Sequence, residues 1–244
     1  MAKAAPADQL RLLELQAFDS ALKHTSTEAA RWRADAELAQ LRAVADAAKA
    51  ERDAAKAGEE QAQRAVQTAE AEVAQISAKI DRDEGRLAAG GLSKDLMALQ
   101  AEVASLSARR SGVEDRELEA MEALEEAQGV LARAEGAFAD AVTVYRARRG
   151  LVEAELQALR EQAEQSQAQR IAFAATLPAE LLSIYEKTLE RRGVGAARLF
   201  HGTSEGSGMR LSAGDLADIT KAAEDDIVFC PDSGCILVRS AEWS

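Results

Sequence analysis

Ala88-Ala89-Gly90-Gly91-Leu92-Ser93 is the stretch that decides the fold. Paired glycines stop a helix because they lack Cβ and lose the most backbone freedom when helical. Ser93 offers a hydroxyl that can cap whatever helix follows. Long apolar stripes at three- and four-residue steps lie on both sides. Upstream run Leu38, Leu41 and Ala45, then Val66, Ala69, Val73, Ile76, Ile80 and Leu87, with Asp83 breaking the series. Downstream run Leu96, Leu99, Val103, Leu106 and Val113; the stripe drifts through Leu118, Met121, Leu124 and Leu131, then recovers at Phe138, Val142, Tyr145, Val152, Leu156 and Leu159. Such spacing marks one face of a helix. Two long helices joined by so short a turn must pair antiparallel.

The upstream helix is expected from about Thr27 to Leu87, roughly 90 Å at ~1.5 Å per residue. A coiled coil uses that length, whereas a compact core does not. Before it, Leu12, Leu15, Phe18 and Leu22 predict a short helix over residues 7–23. A break is expected at His24-Thr25-Ser26-Thr27, because Thr25 with Glu28 fits a capping box. This first helix is expected to fold back beside the base of the hairpin and bury Phe18 and its leucines against the two long helices.

Heptads end near Thr176-Leu177-Pro178, which places the domain boundary there: a coiled-coil hairpin over 1–176 and a small α+β module over 177–244. Pro178 suits a helix start, and Ala179 to Arg191 reads as a helix stopped by Gly193-Val194-Gly195. Arg198-Leu199-Phe200, Ile227-Val228-Phe229 and Ile236-Leu237-Val238 read as strands. Ser212 to Ala223 reads as a short helix capped by Ser212. The fold class is mainly α, with a small strand-containing C-terminal domain.

Composition agrees. Of 244 residues 47% are apolar but only 4% aromatic, and prolines occur only at 6, 178 and 231. Thin Ala- and Leu-lined seams need no aromatic filling. The formal charge of −12 opposes broad binding to nucleic acid or anionic membrane. Two cysteines cannot form a disulfide framework, no apolar run reaches membrane-spanning length, and residues 1–10 carry no apolar signal core. A cytoplasmic location is the expectation.

The order of these elements, with Leu10 to Leu15, Ser93-Lys94-Asp95-Leu96, Leu177-Pro178-Ala179-Glu180-Leu181-Leu182, Ser204-Glu205-Gly206-Ser207-Gly208-Met209-Arg210-Leu211 and Cys230-Pro231-Asp232-Ser233-Gly234-Cys235-Ile236-Leu237, resembles the bacterial family of coiled-coil proteins with a C-terminal four-cysteine zinc ribbon. The resemblance covers nearly the whole chain. It implies two Cys-x-x-Cys knuckles holding one Zn2+, and their positions here are Ser204, Ser207, Cys230 and Ser233. Three of the four are serine. Serine hydroxyls are poor zinc ligands beside thiolates, so weak or absent zinc binding is expected. His201, Asp232 and Cys235 are the neighbours that could join Cys230 in a substitute site.

Catalytic patterns are lacking: the two histidines stand alone, and Ser204 to Gly208 has no strand–elbow–helix context. The expected function is a non-enzymatic adaptor or scaffold that binds protein; relatives bind transcription components or RNA, which is what the resemblance implies about partners. An alternative is RNA or DNA binding through the C-terminal module, using Arg191, Arg192, Arg198, Arg210 and Arg239. Another is a structural rod that forms a homodimer. The cluster Arg146, Arg148 and Arg149 reads as salt-bridge partners for neighbouring glutamates.

Overall fold

The computed structural model describes residues 2–240; the last four residues of the expected C-terminal module lie outside them. The elements are α1 (Pro6–Arg33), α2 (Ala36–Ala88), α3 (Ser93–Ala174), α4 (Ala179–Arg192), β1 (Ala196–Phe200), β2 (Thr203–Ser204), β3 (Met209–Arg210), α5 (Ala213–Lys221), β4 (Val228–Phe229) and β5 (Ile236–Arg239). By contact the chain forms two compact units. One holds the described residues up to Asp35 together with those from Leu151 on; the other is Ala36–Gly150. Composition shifts at residue 176 because heptads end there, while contacts divide the chain elsewhere.

In the Ala36–Gly150 unit, α2 and α3 form the antiparallel hairpin. Cross-helix ion pairs step apart in sequence as only that arrangement allows: Lys79–Glu102 at 2.8 Å, Glu72–Arg109 at 2.9 Å and Glu37–Arg148 at 3.1 Å. Ile76, Ile80 and Val113 form the buried seam, with Val73, Val103 and Leu106 packed on it. Arg52 stacks over the Phe138 ring at 4.5 Å. The expected drift through Leu118 and Met121 does not occur, since both side chains are exposed. The half-buried positions after Val113 are Glu117, Ala120 and Leu124, which keep the three- and four-residue step.

Asp83 interrupts this seam. It is 6% exposed; Oδ1 accepts from Arg86 Nη1 at 3.3 Å, and Oδ2 has no partner among the described residues. A buried acceptor without a partner costs about 1–3 kcal/mol. Asp83→Leu is therefore expected to stabilise the hairpin by about 1–2 kcal/mol in urea denaturation. A destabilised variant would mean that the carboxylate serves the seam.

The other unit corrects two expectations about α1. The helix does not break at residues 24–27. Thr25 and Thr27 donate their hydroxyls to the carbonyls of Ala21 and Lys23, four residues back, which suits a helix interior. It ends at Ala34, whose amide donates to Ala30 O and Arg31 O. Phe18 packs on a long helix as expected, but the leucines of α1 are committed mainly to α4 and the sheet. Leu12 and Leu15 are fully buried in a cluster with Leu177, Leu181, Tyr185, Ala196, Ile236 and Val238. Phe18 meets Phe173 of α3, ring centroids 5.9 Å apart.

The sheet order is β3-β2-β1-β5-β4, with β1 and β5 parallel and the other pairs antiparallel. Alternation along the two central strands gives it two buried faces. Ala196, Ile236 and Val238 join the α1–α4 cluster, while Ala197, Leu199 and Leu237 join Leu211, Ile219, Cys230 and Cys235 on the other side. The N-terminal segment extends the β4 edge: Ala4 N donates to Asp225 O and Ile227 N to Ala2 O. Ser212 caps α5 as expected, its hydroxyl accepting from Asp215 N.

Among the described residues no helix is long and apolar enough to cross a membrane.

Candidate functional site

Two turns with the same backbone geometry face each other at one end of the sheet. In the first, Gly208 N donates to Ser204 O at 2.8 Å; in the second, Gly234 N donates to Cys230 O at 2.8 Å. Gly208 and Gly234 both have φ of 70°, a left-handed conformation that favours glycine. The third position after each glycine-closed start carries a hydroxyl that accepts from an amide two residues on. Ser207 Oγ accepts from Met209 N at 3.2 Å, and Ser233 Oγ from Cys235 N at 3.5 Å. These two turns carry Ser204, Ser207, Cys230 and Ser233, the positions at which the resemblance implies ligands.

The knuckles touch. Ser207 Oγ lies 4.0 Å from Cys230 Sγ, and a Cβ on Gly206 would fall 2.6 Å from Cys235 Sγ. Ser233 Oγ donates to Cys235 Sγ at 3.1 Å. Ser204 is fully buried and its Oγ has no hydrogen-bond partner among the described residues, although it lies near enough to Cys230 to favour the thiolate. Burial pushes the Cys230 thiol up, but the Ser204 and Ser233 hydroxyls and the amides of Ser233 and Asp232 outweigh it, and the thiol ends below its ordinary value. Cys235 goes the other way, raised first by burial and only partly offset by Ser233.

Residues 15–193 match the CT398-like coiled coil hairpin domain, and residues 203–237 match the C4-type zinc ribbon domain. This chain belongs to the CT398-like coiled-coil hairpin family. An uncharacterized protein of Mycobacterium tuberculosis, recorded in two strains, is 33% identical over 239 residues, 97% of each chain. A solved Mycobacterium smegmatis structure is similar at 27% identity with a TM-score of 0.72, covering 97% of this chain and all of that one. CT398 of Chlamydia trachomatis, at 18% identity, shares the fold with a TM-score of 0.66 and coverage of 96% and 98%.

The C4-type ribbon implies zinc. Tetrahedral thiolate ligands at ~2.3 Å from zinc sit roughly 3.8 Å from each other. The Ser207–Cys230 spacing of 4.0 Å is close to that value, so the knuckle framework of the family is kept. The donor set does not fit. Of the four positions that the ribbon family would use, only Cys230 carries a thiol, and the Ser204 hydroxyl, without a hydrogen-bond partner among the described residues, is a neutral, weakly acidic donor. His201 is exposed, with φ of 44°, and its ring packs edge-on against Phe200 at 4.2 Å. Asp232 is exposed. Among the described residues no three His, Cys, Asp or Glu side chains are grouped to hold a metal. The structure thus unites Ser204, Ser207, Cys230, Ser233 and Cys235, and leaves His201 and Asp232 on the surface.

The arginines divide. Arg239 donates to the carbonyls of Ala222, Ala223, Glu224 and Asp226, which ties the end of β5 to the loop after α5. Arg198 pairs with Glu205 at 2.8 Å and stacks over Phe200. Arg191, Arg192 and Arg210 are exposed and form no ion pair among the described residues, and Arg192 lies across Gly234. On the coil, Arg148 pairs with Glu37 as the local charges suggested.

Sequence reading missed a half-buried polar network behind the ribbon. Asp19 accepts from Arg170 Nε at 2.7 Å and from the Tyr185 hydroxyl at 2.7 Å. Gln16 Oε1 accepts from the Gly195 amide at 2.7 Å and the Ala196 amide at 3.2 Å. This network ties α1, α3, α4 and the start of β1 into one unit.

Proposed function

We propose that this protein is a non-enzymatic interaction scaffold of the cytoplasm whose partner-binding surface includes the end of the helical hairpin. The observation that carries the reading is a pair of large apolar side chains at the α2–α3 turn: Leu92 is 75% exposed and Met97 69%. The neighbouring seam residues Leu96 and Leu99 are half-buried, while Leu92 in the turn and Met97 on the outer side of α3 face water. Apolar side chains kept in water together support a role in contact with another protein. Transcription or regulatory components are the narrower partner class that the family resemblance suggests. The test is affinity capture from a cytoplasmic lysate at moderate salt, with the Leu92→Ser/Met97→Ser chain in parallel. Specific partners bound by the parent should be lost from the double variant by at least about tenfold, the equivalent of ~1.4 kcal/mol. Equal capture by both chains, or no specific capture, ends the reading.

A second reading rests on Arg191, Arg192 and Arg210, whose exposed guanidinium groups, without an ion pair among the described residues, favour an anionic partner such as RNA or DNA. It predicts binding that weakens with salt, with a shallower salt dependence in the triple alanine variant. A structural rod that dimerises instead predicts a mass that rises with concentration.

A further inference from the structure

We propose that Cys230 and Cys235 are a redox dithiol that closes into an intramolecular disulfide when a peroxide reaches the ribbon. The register of β4 and β5 runs Val228↔Leu237 and Phe229↔Ile236, which places Cys230 opposite Cys235 as the next pair. Cys230 N donates to Cys235 O at 2.8 Å, so the ladder reaches this pair. Directly opposed residues have Cα atoms about 4.5–5.5 Å apart, inside the roughly 4.4–6.8 Å that a disulfide spans. Both side chains point to the same face, because both are buried in the cluster with Ala197, Leu199, Leu211 and Leu237. Both are free thiols. Hydroxyls flank each sulfur, Ser207 beside Cys230 and Ser233 beside Cys235.

The cover over this pair is thin. Cys235 lies under Gly206, in a turn whose residues 205–208 are exposed or half-buried. That turn hangs between β2 and β3, two residues each, at the sheet edge. Short edge pairings open locally at low cost. Both thiols are buried, so opening of this turn is what admits the oxidant, and Cys230 is taken as the sulfur it meets. Its thiolate attacks one peroxide oxygen and breaks the O–O bond, giving a sulfenic acid and, with one proton, water. The Cys235 thiol then attacks that sulfur, its proton leaving with the hydroxyl as a second water. Two thiols are oxidised by two electrons and one hydrogen peroxide is reduced to two waters. The bond formed links the two strands at the base of the second knuckle, whose positions 230 and 233 a metal would join in a four-thiolate ribbon.

The experiment uses the full chain, reduced and then exposed to hydrogen peroxide, with remaining thiols blocked by N-ethylmaleimide before intact-mass and peptide analysis. The expected product has lost both thiols together, weighs two hydrogens less, links Cys230 to Cys235 within one chain, and returns to two thiols with dithiothreitol. Cys235→Ser should lose that reversible product completely and carry Cys230 on to sulfinic acid. Overturning results are sulfinic acid at Cys230 in the parent chain, disulfides only between chains, or two thiols that persist in excess peroxide. Uptake of one zinc ion per chain that protects both thiols would also overturn it.

Discussion

Gly195→Ala is expected to destabilise the unit that carries the ribbon by about 3 kcal/mol, the upper end of overpacking costs in a well-filled core. A Cβ at residue 195 would fall 2.4 Å from Cε2, 2.6 Å from Cζ and 2.8 Å from Cδ2 of Tyr185. The ring cannot swing clear: Tyr185 is fully buried and its hydroxyl is held by Asp19. Nor can the backbone withdraw, since the Gly195 amide donates to Gln16 and its carbonyl accepts from Ile236 N at 3.0 Å. Native-state hydrogen exchange of the β1 and β5 amides is the measurement, because it reads this unit alone. Gly58→Ala is the control. Nothing lies within 4 Å of a Cβ there, and replacing glycine inside the α2 helix should stabilise by up to about 1 kcal/mol. Gly195→Ala/Tyr185→Leu should lose less than the two single changes together, because both act on one contact. If Gly195→Ala behaves like the control, Tyr185 does not fill the space against β1.

That glycine shows what the sequence could and could not reveal. Gly193 has φ of 74° and ends α4, as a glycine just past a helix should. Gly195, two residues on, was open to the same reading, yet it is needed for close approach to a ring ten residues earlier. The hairpin was legible because its signals are local and repeated: a glycine pair, heptad steps and sparse proline. The knuckles could be placed only through the family resemblance, which implies ligand positions at Ser204, Ser207, Cys230 and Ser233. The end of α1 was not. Thr25 with Glu28 has the letters of a capping box, but a threonine hydroxyl can equally bond back to the carbonyl four residues earlier, and packing chooses. The placement of Leu12 and Leu15 on the sheet also escaped, since their partners Ile236 and Val238 lie more than two hundred residues away. Asp83 was visible as a polar residue in an apolar series; only the structure shows that one of its oxygens has no partner.

Asp19→Ala is expected to cost about 3 kcal/mol, the lower end of what breaking a buried charge pair costs. Asp19 and Arg170 side chains are 10% and 13% exposed, joined through Nε at 2.7 Å and Nη2 at 3.2 Å. The hydrogen bond to Asp19 is the largest influence holding the Arg170 guanidinium above its ordinary pKa, against burial. Burial first and Asp19 second push the Tyr185 hydroxyl up as well, so it stays protonated and donates. Removing the carboxylate leaves Arg170 with Glu186 alone and Tyr185 with Gln16 alone, at 2.8 Å and 3.2 Å. Glu186 is far more exposed, so it cannot replace a buried counter-charge, and Glu186→Ala should cost under about 1 kcal/mol. Asp19→Asn keeps the shape and one acceptor, and should fall between the two. Asp19→Ala/Arg170→Met should be milder than Asp19→Ala, because no unpaired charge is left behind. Urea denaturation of the four variants orders these costs. Equal losses for Asp19→Ala and Glu186→Ala would show that the charge pair is solvated and that apolar packing alone joins α1 to the ribbon.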